Sequence, residues 1–339
     1  MDISIIIVNW NGRDLLARCM GSILKHPPSA PYEIVVVDNA STDGSVEWLR
    51  AAHWNGWLKD ANLRLIENKE NVGFGRANNI AFSQTSARML LLLNSDTEVR
   101  EGTIDRLVEA VESNKKAAGC GPKMLNADGG FRPTVYRNPP TVWEILVTGL
   151  RLYYLLPSRI RAELLLGPHW DHSKRRTTRT LSGAAILLRR EVIDSVGGFD
   201  EDFYFYGEDI ELGLRIVNSG WDLLFEPAAQ VVHHGSKSAL QRWGPEEVHR
   251  RSIDASLLCY RKSLPRFRFV ANCLANCLVY SFMRIWRRAR GASTRDIDIA
   301  LSVHREHLRE AVSGRKRTLY ARFTLATPYF LTTSWIRPS

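Results

Sequence analysis

Three short polar clusters, each at the end of an apolar or aromatic run, are where this 339-residue chain has the means to do chemistry. The first is Asn94-Ser95-Asp96, directly after Met89-Leu-Leu-Leu-Leu93. Four consecutive leucines read as a strand buried on both faces, as in a parallel sheet. Open α/β sheets bind ligands outside the carboxyl ends of their strands. An aspartate there is placed to hold a hard cation or a phosphate-bound metal. Turn chemistry and capping of the next helix explain the same residues without a ligand. The second cluster, Glu208-Asp209, follows Phe203-Tyr-Phe-Tyr-Gly207 and opens a predicted helix with the stripe Ile210, Leu214 and Val217. A helix N-terminus stabilises carboxylates, so both acids are expected to be ionised near neutral pH, the state a general base needs. Two acids at a helix start are also ordinary helix-dipole decoration. The third cluster, His233-His234-Gly235, ends the run Val231-Val232. A histidine pair at a strand terminus, in a chain with a candidate metal aspartate, reads as a metal ligand, with packed histidines as the alternative.

The elements that must position these clusters follow from the apolar pattern. Strands are predicted at 3–8, 34–37, 63–66, 89–93 and 181–188. Helices are predicted from the spacing of Leu15, Leu16, Cys19, Met20 and Ile23, at about 45–52, from Asn71 onward, and at 103–114. Strand–helix alternation at this spacing gives an α/β fold with a wound, mostly parallel sheet. After the first strand comes Asn9-Trp10-Asn11-Gly12, so the glycine-rich dinucleotide loop is missing, and there is no Walker A motif. Asp38 closes the second strand, where such folds place an acid for ribose or base contact; a plain Asx-turn is the alternative. Residues 126–180 are rich in Pro, Arg and aromatics. They read as a long surface excursion with short helices at 142–156 and 159–166, carrying acceptor recognition or serving only as a solvated loop.

The formal net charge of +10 is unevenly spread. Residues 1–235 hold 26 Lys and Arg against 29 Asp and Glu, whereas residues 236–339 hold 20 against 7. We therefore expect a near-neutral catalytic or binding part and a basic C-terminal region facing an anionic partner. The five cysteines show no metal spacing and fit buried thiols in a reducing compartment. The N-terminus runs straight into a strand, with no basic segment or cleavage site before it, so no secretory signal is expected.

With these clusters go Ile5-Ile-Ile-Val-Asn-Trp-Asn-Gly12, Val35-Val-Val-Asp-Asn-Ala-Ser-Thr-Asp-Gly44, Asn71-Val-Gly-Phe-Gly-Arg-Ala-Asn-Asn79, Leu93-Asn-Ser-Asp-Thr97, Gly198-Phe-Asp-Glu-Asp-Phe-Tyr-Phe-Tyr-Gly-Glu-Asp-Ile-Glu211 and Val232-His-His-Gly235. In this order and spacing, over about residues 3–240, they resemble a family 2 glycosyltransferase with the GT-A fold. The likeness is greatest to bacterial rhamnosyltransferase-like members that build cell-surface polysaccharides. The resemblance implies a metal-dependent, inverting enzyme. It would move a sugar, rhamnose from dTDP-rhamnose, from a nucleotide-diphospho-sugar donor to a hydroxyl of a lipid-linked or growing surface glycan.

It also implies roles. Asp38 would bind the donor's pyrimidine with Val8, Asn9 and Trp10 beside it, and Asn71, Gly73, Asn79, Asn94 and Ser95 would complete the donor site. Asn94-Ser95-Asp96 falls on the D-x-D position with only its last acid retained. Asp96 would hold Mg2+ or Mn2+, with His233 as a further ligand and His234 as its substitute if the register slips by one. Asp209 would be the catalytic base, and Glu208 and Glu211 supports or acceptor contacts. A non-catalytic nucleotide-sugar-binding or scaffold subunit of a polysaccharide assembly complex is the alternative.

This resemblance sets a GT-A catalytic domain at 1–240 and a basic, mainly α-helical C-terminal region at 241–339. Within the latter, Phe269 to Met283 is an apolar stretch of about 15 residues with two asparagines, short of the roughly 20 a membrane span needs. Flanking arginines and aromatics suit a helix in the membrane interface, and the basic clusters at 287–290 and 315–317 suit anionic lipid. A dimer interface, or packing on the catalytic domain, fits the same helix. Nothing resembles a nucleic-acid-binding module, and no nucleic-acid partner is expected. The expected location is cytoplasmic, peripheral on the inner face of the cell membrane.

Overall fold

The computed structural model describes residues 1–54, 62–135, 139–235 and 237–314; the basic cluster at 315–317 lies outside them. The chain begins with β1 (Ile3–Asn9), α1 (Arg13–Lys25), β2 (Tyr32–Asp38), α2 (Ser45–Trp54), β3 (Leu63–Glu67), α3 (Phe74–Gln84) and β4 (Met89–Asn94). β3, β2, β1 and β4 lie side by side in that order, all parallel. Strands covered on both faces read as unbroken apolar runs, and Ile5, Ile6, Ile7 and Leu90 to Leu92 are fully buried. Leu16, Cys19, Met20 and Ile23 of α1 pack on one face of this sheet, Ala77 and Ala81 of α3 on the other.

Beyond β4 the sheet becomes mixed. β5 (Thr97–Val99), α4 (Thr103–Glu112), β6 (Ala117–Leu125) and β7 (Phe131–Arg132) come next. The excursion then forms α5 (Val142–Gly149), a 3-10 turn at Leu152–Leu155 and α6 (Ser158–Leu165). It returns through β8 (Arg176–Thr178), β9 (Ala185–Arg189), α7 (Arg190–Val196), α8 (Glu208–Asn218) and β10 (Asp222–His233). β9 runs antiparallel between β4 and β6, and β10 pairs parallel to β6 and antiparallel to β5. β6 reads Ala-Ala-Gly-Cys-Gly-Pro, a poor strand by propensity. Its glycines are forced by tight packing: a Cβ on Gly119 would sit 2.4 Å from the Leu187 carbonyl oxygen, and one on Gly121 would sit 2.7 Å from a Leu181 methyl.

Three helices follow: α9 (Lys237–Ser263), broken at Gly244 (φ 72°) before Pro245, then α10 (Arg266–Arg288) and α11 (Arg295–Ser313). Ala255, Leu258 and Cys259 of α9 form a core with Phe203 and Leu214, next to α8. Leu257, Phe269, Cys273 and Val303 knit the three helices together. Four of the five cysteines are buried free thiols. Among the described residues, α10 is the one helix long and apolar enough to cross a membrane.

Candidate active site

The carboxyl ends of β1 and β4 open onto a cleft of about 280 Å³. From the metal cluster, Asn94, Ser95 and Asp96 line it, in the turn where β4 passes into β5. β5 pairs antiparallel with the end of β10, setting Thr97 opposite His233, and the His234 N–H donates to the Asp96 carbonyl at 2.9 Å. This register brings His233 Nε2 to 3.2 Å from Asp96 Oδ1. Successive strand residues alternate in direction. His233 therefore faces the cleft, while the His234 ring meets Glu98 at 2.7 Å and takes no part in the lining.

The His233–Asp96 approach is close but not aligned as a hydrogen bond, and it leaves the buried Nε2 without a hydrogen-bond partner among the described residues. A carboxylate and an unsatisfied imidazole nitrogen at one wall of a polar cleft fit a divalent cation with mixed oxygen and nitrogen ligands. Among the described residues no group of three or more His, Cys, Asp or Glu gathers to hold a metal. Asp96 and His233 would supply two protein ligands to such a cation, and Mg2+ commonly takes few protein ligands.

Asp209 also lines the cleft, from the first turn of α8. Because β9 runs antiparallel to β4, its start lies beside the end of β4: Leu93 pairs with Ala185, and Asn94 N–H donates to Ala184 O at 2.9 Å. The loop before β9 therefore reaches the cleft. There the Gly183 N–H donates to Asp209 Oδ2 at 2.9 Å, while the Ile210 N–H donates to Oδ1 at 2.8 Å. A Cβ on Gly183 would sit 3.2 Å from the Asp209 Cβ, so the residue type lets this approach occur.

The expectation that both acids are ionised fails for Glu208. Burial, reinforced by the neighbouring Asp209 charge, pushes its pKa up to about 8. Its Oε2 is buried without a hydrogen-bond partner among the described residues. Burial also raises Asp209, but the N–H groups of Gly183 and Ile210 hold its charged form. Desolvation outweighs the helix N-terminus at Glu208, where only the residue's own backbone N–H favours the charged form. Of the two carboxyl groups, both raised by burial, Asp209 is the one whose charged form receives N–H donors from two other residues.

Val8, Trp10, Asn71 and Gly73 line the remaining side, as does Glu208 below Asp209. Four expected residues do not reach the cleft. Asp38 is buried, and its carboxylate accepts from Ser41 N at 2.8 Å, Ser41 Oγ at 2.7 Å and Asn9 Nδ2 at 3.0 Å. Asp38 and the equally buried Asn9 thus brace the loop after β2. Asn79 clamps Phe199 through both backbone groups, at 2.8 and 2.9 Å. Glu211 forms a two-point pair with Arg215, which also donates to the carbonyls of Val196, Gly197 and Gly198.

Sequence reasoning missed other lining residues. Tyr204 and Phe205 were visible as an aromatic run leading into Glu208-Asp209, and Ser182-Gly183 as small residues before a strand. Arg132 and Trp243 carry no local signal; β7 and the start of α9 bring them in.

The profile of the family described as "Glycosyl transferase family 2" matches residues 4–197. The chain belongs to that family. As a family 2 glycosyltransferase, it is 26% identical over 260 residues to the N-acetylglucosaminyl-diphospho-decaprenol L-rhamnosyltransferase of Mycobacterium tuberculosis (strain CDC 1551 / Oshkosh), covering 69% of this chain and 76% of that protein. It is 30% identical over 238 residues to the O-antigen biosynthesis protein RfbC of Myxococcus xanthus, covering 70% of this chain but 17% of that protein. Among solved structures, the mannosyltransferase PcManGT from Pyrobaculum calidifontis, in complex with GDP-Man and Mn2+, superposes with a TM-score of 0.57 at 18% identity, covering 96% of this chain and 79% of that one. GalNAc-T7 with UDP, GalNAc and Mn2+ gives 0.55 at 16% identity, covering 97% and 58%. The structural likeness carries the fold, a GT-A-like α/β sheet with a helical C-terminal region, and the family carries the enzyme class.

Proposed function

We propose that this family 2 glycosyltransferase moves rhamnose from dTDP-rhamnose, with inversion, to a hydroxyl of a lipid-linked or growing cell-surface glycan. It would act with Mg2+ or Mn2+ on the inner face of the cell membrane. One observation supports this above the others: the Asp209 carboxylate, aimed by the Gly183 N–H at 2.9 Å, lines the same cleft as the Asp96–His233 pair. A non-catalytic sugar-nucleotide scaffold has no need of both.

In this reading the nucleoside lies along Val8, Trp10, Asn71 and Gly73, and the diphosphate lies at Asp96 and His233. Those two side chains would hold the cation, which when bound neutralises the leaving diphosphate as a Lewis acid. Asp209 takes the proton of the acceptor hydroxyl as that oxygen attacks the anomeric carbon from the face opposite the diphosphate. The Gly183 and Ile210 N–H groups keep both carboxylate oxygens in one orientation through the transfer. Protonated Glu208 spares Asp209 a second negative charge beside it. The rhamnosyl donor and the lipid-linked acceptor are drawn from the mycobacterial relative's name.

The test is a panel of nucleotide sugars screened for thermal stabilisation with and without Mn2+. Hits are then assayed for transfer to a synthetic lipid-linked acceptor. Stabilisation by dTDP-rhamnose only when metal is present, followed by transfer, is the expected result. Equal stabilisation in chelator would overturn the metal role, and donor binding without transfer to any acceptor would favour the scaffold.

A further inference from the structure

Among the described residues, α10 leaves an apolar face uncovered. Leu274, Leu278, Phe282 and Ile285 recur at helical spacing and are exposed, Ile285 by 70%. The adjoining face, through Ala275, Val279 and Met283, packs against α5. Gly149 permits that contact, since a Cβ there would sit 2.3 Å from a Val279 methyl, and Asn272 Nδ2 donates to Pro140 O at 2.7 Å. The excursion held in this way has exposed apolar groups of its own. Trp143 is 66% exposed, and Tyr154 and Leu155 in the 3-10 turn are 65% and 82% exposed.

Charge decides what covers these groups. From Arg266 to Arg290 there are six arginines and no Asp or Glu, with Arg284 and Arg287 paired to Asp298 and Asp296 of α11, and residues 142–165 hold three arginines against Glu144 and Glu163. Arg151, Arg159, Arg268 and Arg288 are exposed, and Arg290 lies over the Trp286 ring at 3.8 Å. A symmetric second copy would set arginine against arginine across the same apolar patch, a like-charge arrangement that opposes association. An anionic leaflet satisfies both components, apolar side chains entering the acyl boundary and guanidinium groups meeting phosphates.

We propose that α10 and the α5 excursion together form one docking platform for an anionic phospholipid surface. This deepens the membrane-face part of the proposed function and rests on it. The excursion then serves membrane attachment, alongside the helix it packs on.

The experiment is flotation of the full-length protein with vesicles of phosphatidylcholine alone or mixed with phosphatidylglycerol. Two double variants accompany it: Leu278→Glu with Phe282→Glu on α10, and Trp143→Ala with Leu155→Glu on the excursion. All four positions are exposed, and melting followed by circular dichroism checks that the fold is kept. The wild type is expected to float with the anionic vesicles and not with the neutral ones. Each double variant should weaken flotation by roughly tenfold, since binding scales with buried apolar area. The platform is overturned if the wild type ignores anionic vesicles or if only one pair matters. A lipid-free dimer that both variants dissociate would overturn it in favour of a second copy. Transfer to a water-soluble acceptor, measured in parallel, separates a failed platform from a failed catalytic reading.

Discussion

At the scale of single residues, two adjacent acids stand in different surroundings. Asp209 receives the N–H groups of Gly183 and Ile210 and Glu208 Oε2 receives none, so burial is offset more at one carboxyl group than at the other. Asp209→Asn keeps an oxygen for the Gly183 N–H but loses the base. We expect transfer to fall by roughly 10²–10⁴-fold, with donor affinity unchanged in calorimetric titration. Undiminished transfer by that variant would refute the assignment. Glu208 makes a separate, pH-dependent prediction. Its pKa rises from 4.5 in the reference state to about 8 in the fold, so the folded state retains a proton that the unfolded chain releases. The stability this contributes is fully present below about 4.5 and is lost as pH rises towards 8. Glu208→Gln, neutral throughout, should therefore gain on the wild type by up to about 1.4 kcal/mol for each pH unit in that window, read from denaturant melts at pH 5, 6, 7 and 8. A constant gap between the two proteins would show that Glu208 titrates normally.

At the scale of elements, strand register selects which histidine can serve as ligand. β5 against β10 turns His233 to Asp96 and His234 to Glu98. His233→Ala and Asp96→Ala should each weaken metal-dependent nucleotide binding at least about tenfold, as loss of a ligand does. His234→Ala should leave it within about twofold, so comparing nucleotide affinities with and without Mn2+ exposes any error in this register. Gly73 tests the turn into α3. Its φ of +87° and ψ of 171° are open to glycine alone, and a Cβ would meet the Tyr204 carbonyl oxygen at 2.5 Å. Gly73→Ala is expected to cost about 1–3 kcal/mol of stability and to displace Tyr204, which also lines the cleft. An unchanged melting temperature would argue against that contact.

At the scale of the whole molecule, α9 packs on α8, the helix that carries Asp209. α9 begins at Lys237, so the proposed boundary at 240 falls within it, and its Ala255, Leu258 and Cys259 cover Phe203 and Leu214. Lys262 pairs with Asp200 and, at 2.7 Å, with Asp202, in the loop that Asn79 clamps through Phe199. A chain truncated after residue 240 should therefore lose cooperative unfolding and donor binding together. A folded, donor-binding 1–240 fragment would instead establish an independent catalytic domain.

Much of the fold was legible in the chain itself. Ile5–Val8, Ile34–Val37 and Met89–Leu93 are apolar without interruption because both sheet faces are covered, and such runs announce buried parallel strands. Asp96, Asp209 and His233 each follow such a run or open a helix, so their positions at element ends could be read locally. β6 was hidden, because its glycines answer to Leu187 and Leu181, residues more than fifty positions away. Strand direction was hidden too. Side-chain alternation is the same whichever way a strand runs, so only the assembled sheet revealed that β9 presents its start, and with it Gly183, to the cleft. The same limit applies to Asp38, whose sequence context at a strand end matches that of Asp96. Tertiary packing gave one carboxylate to Ser41 and Asn9 and left the other facing the histidine. Residue types and spacing determined the elements and the candidate chemistry; non-local hydrogen bonding and desolvation decided which side chains remained available to perform it.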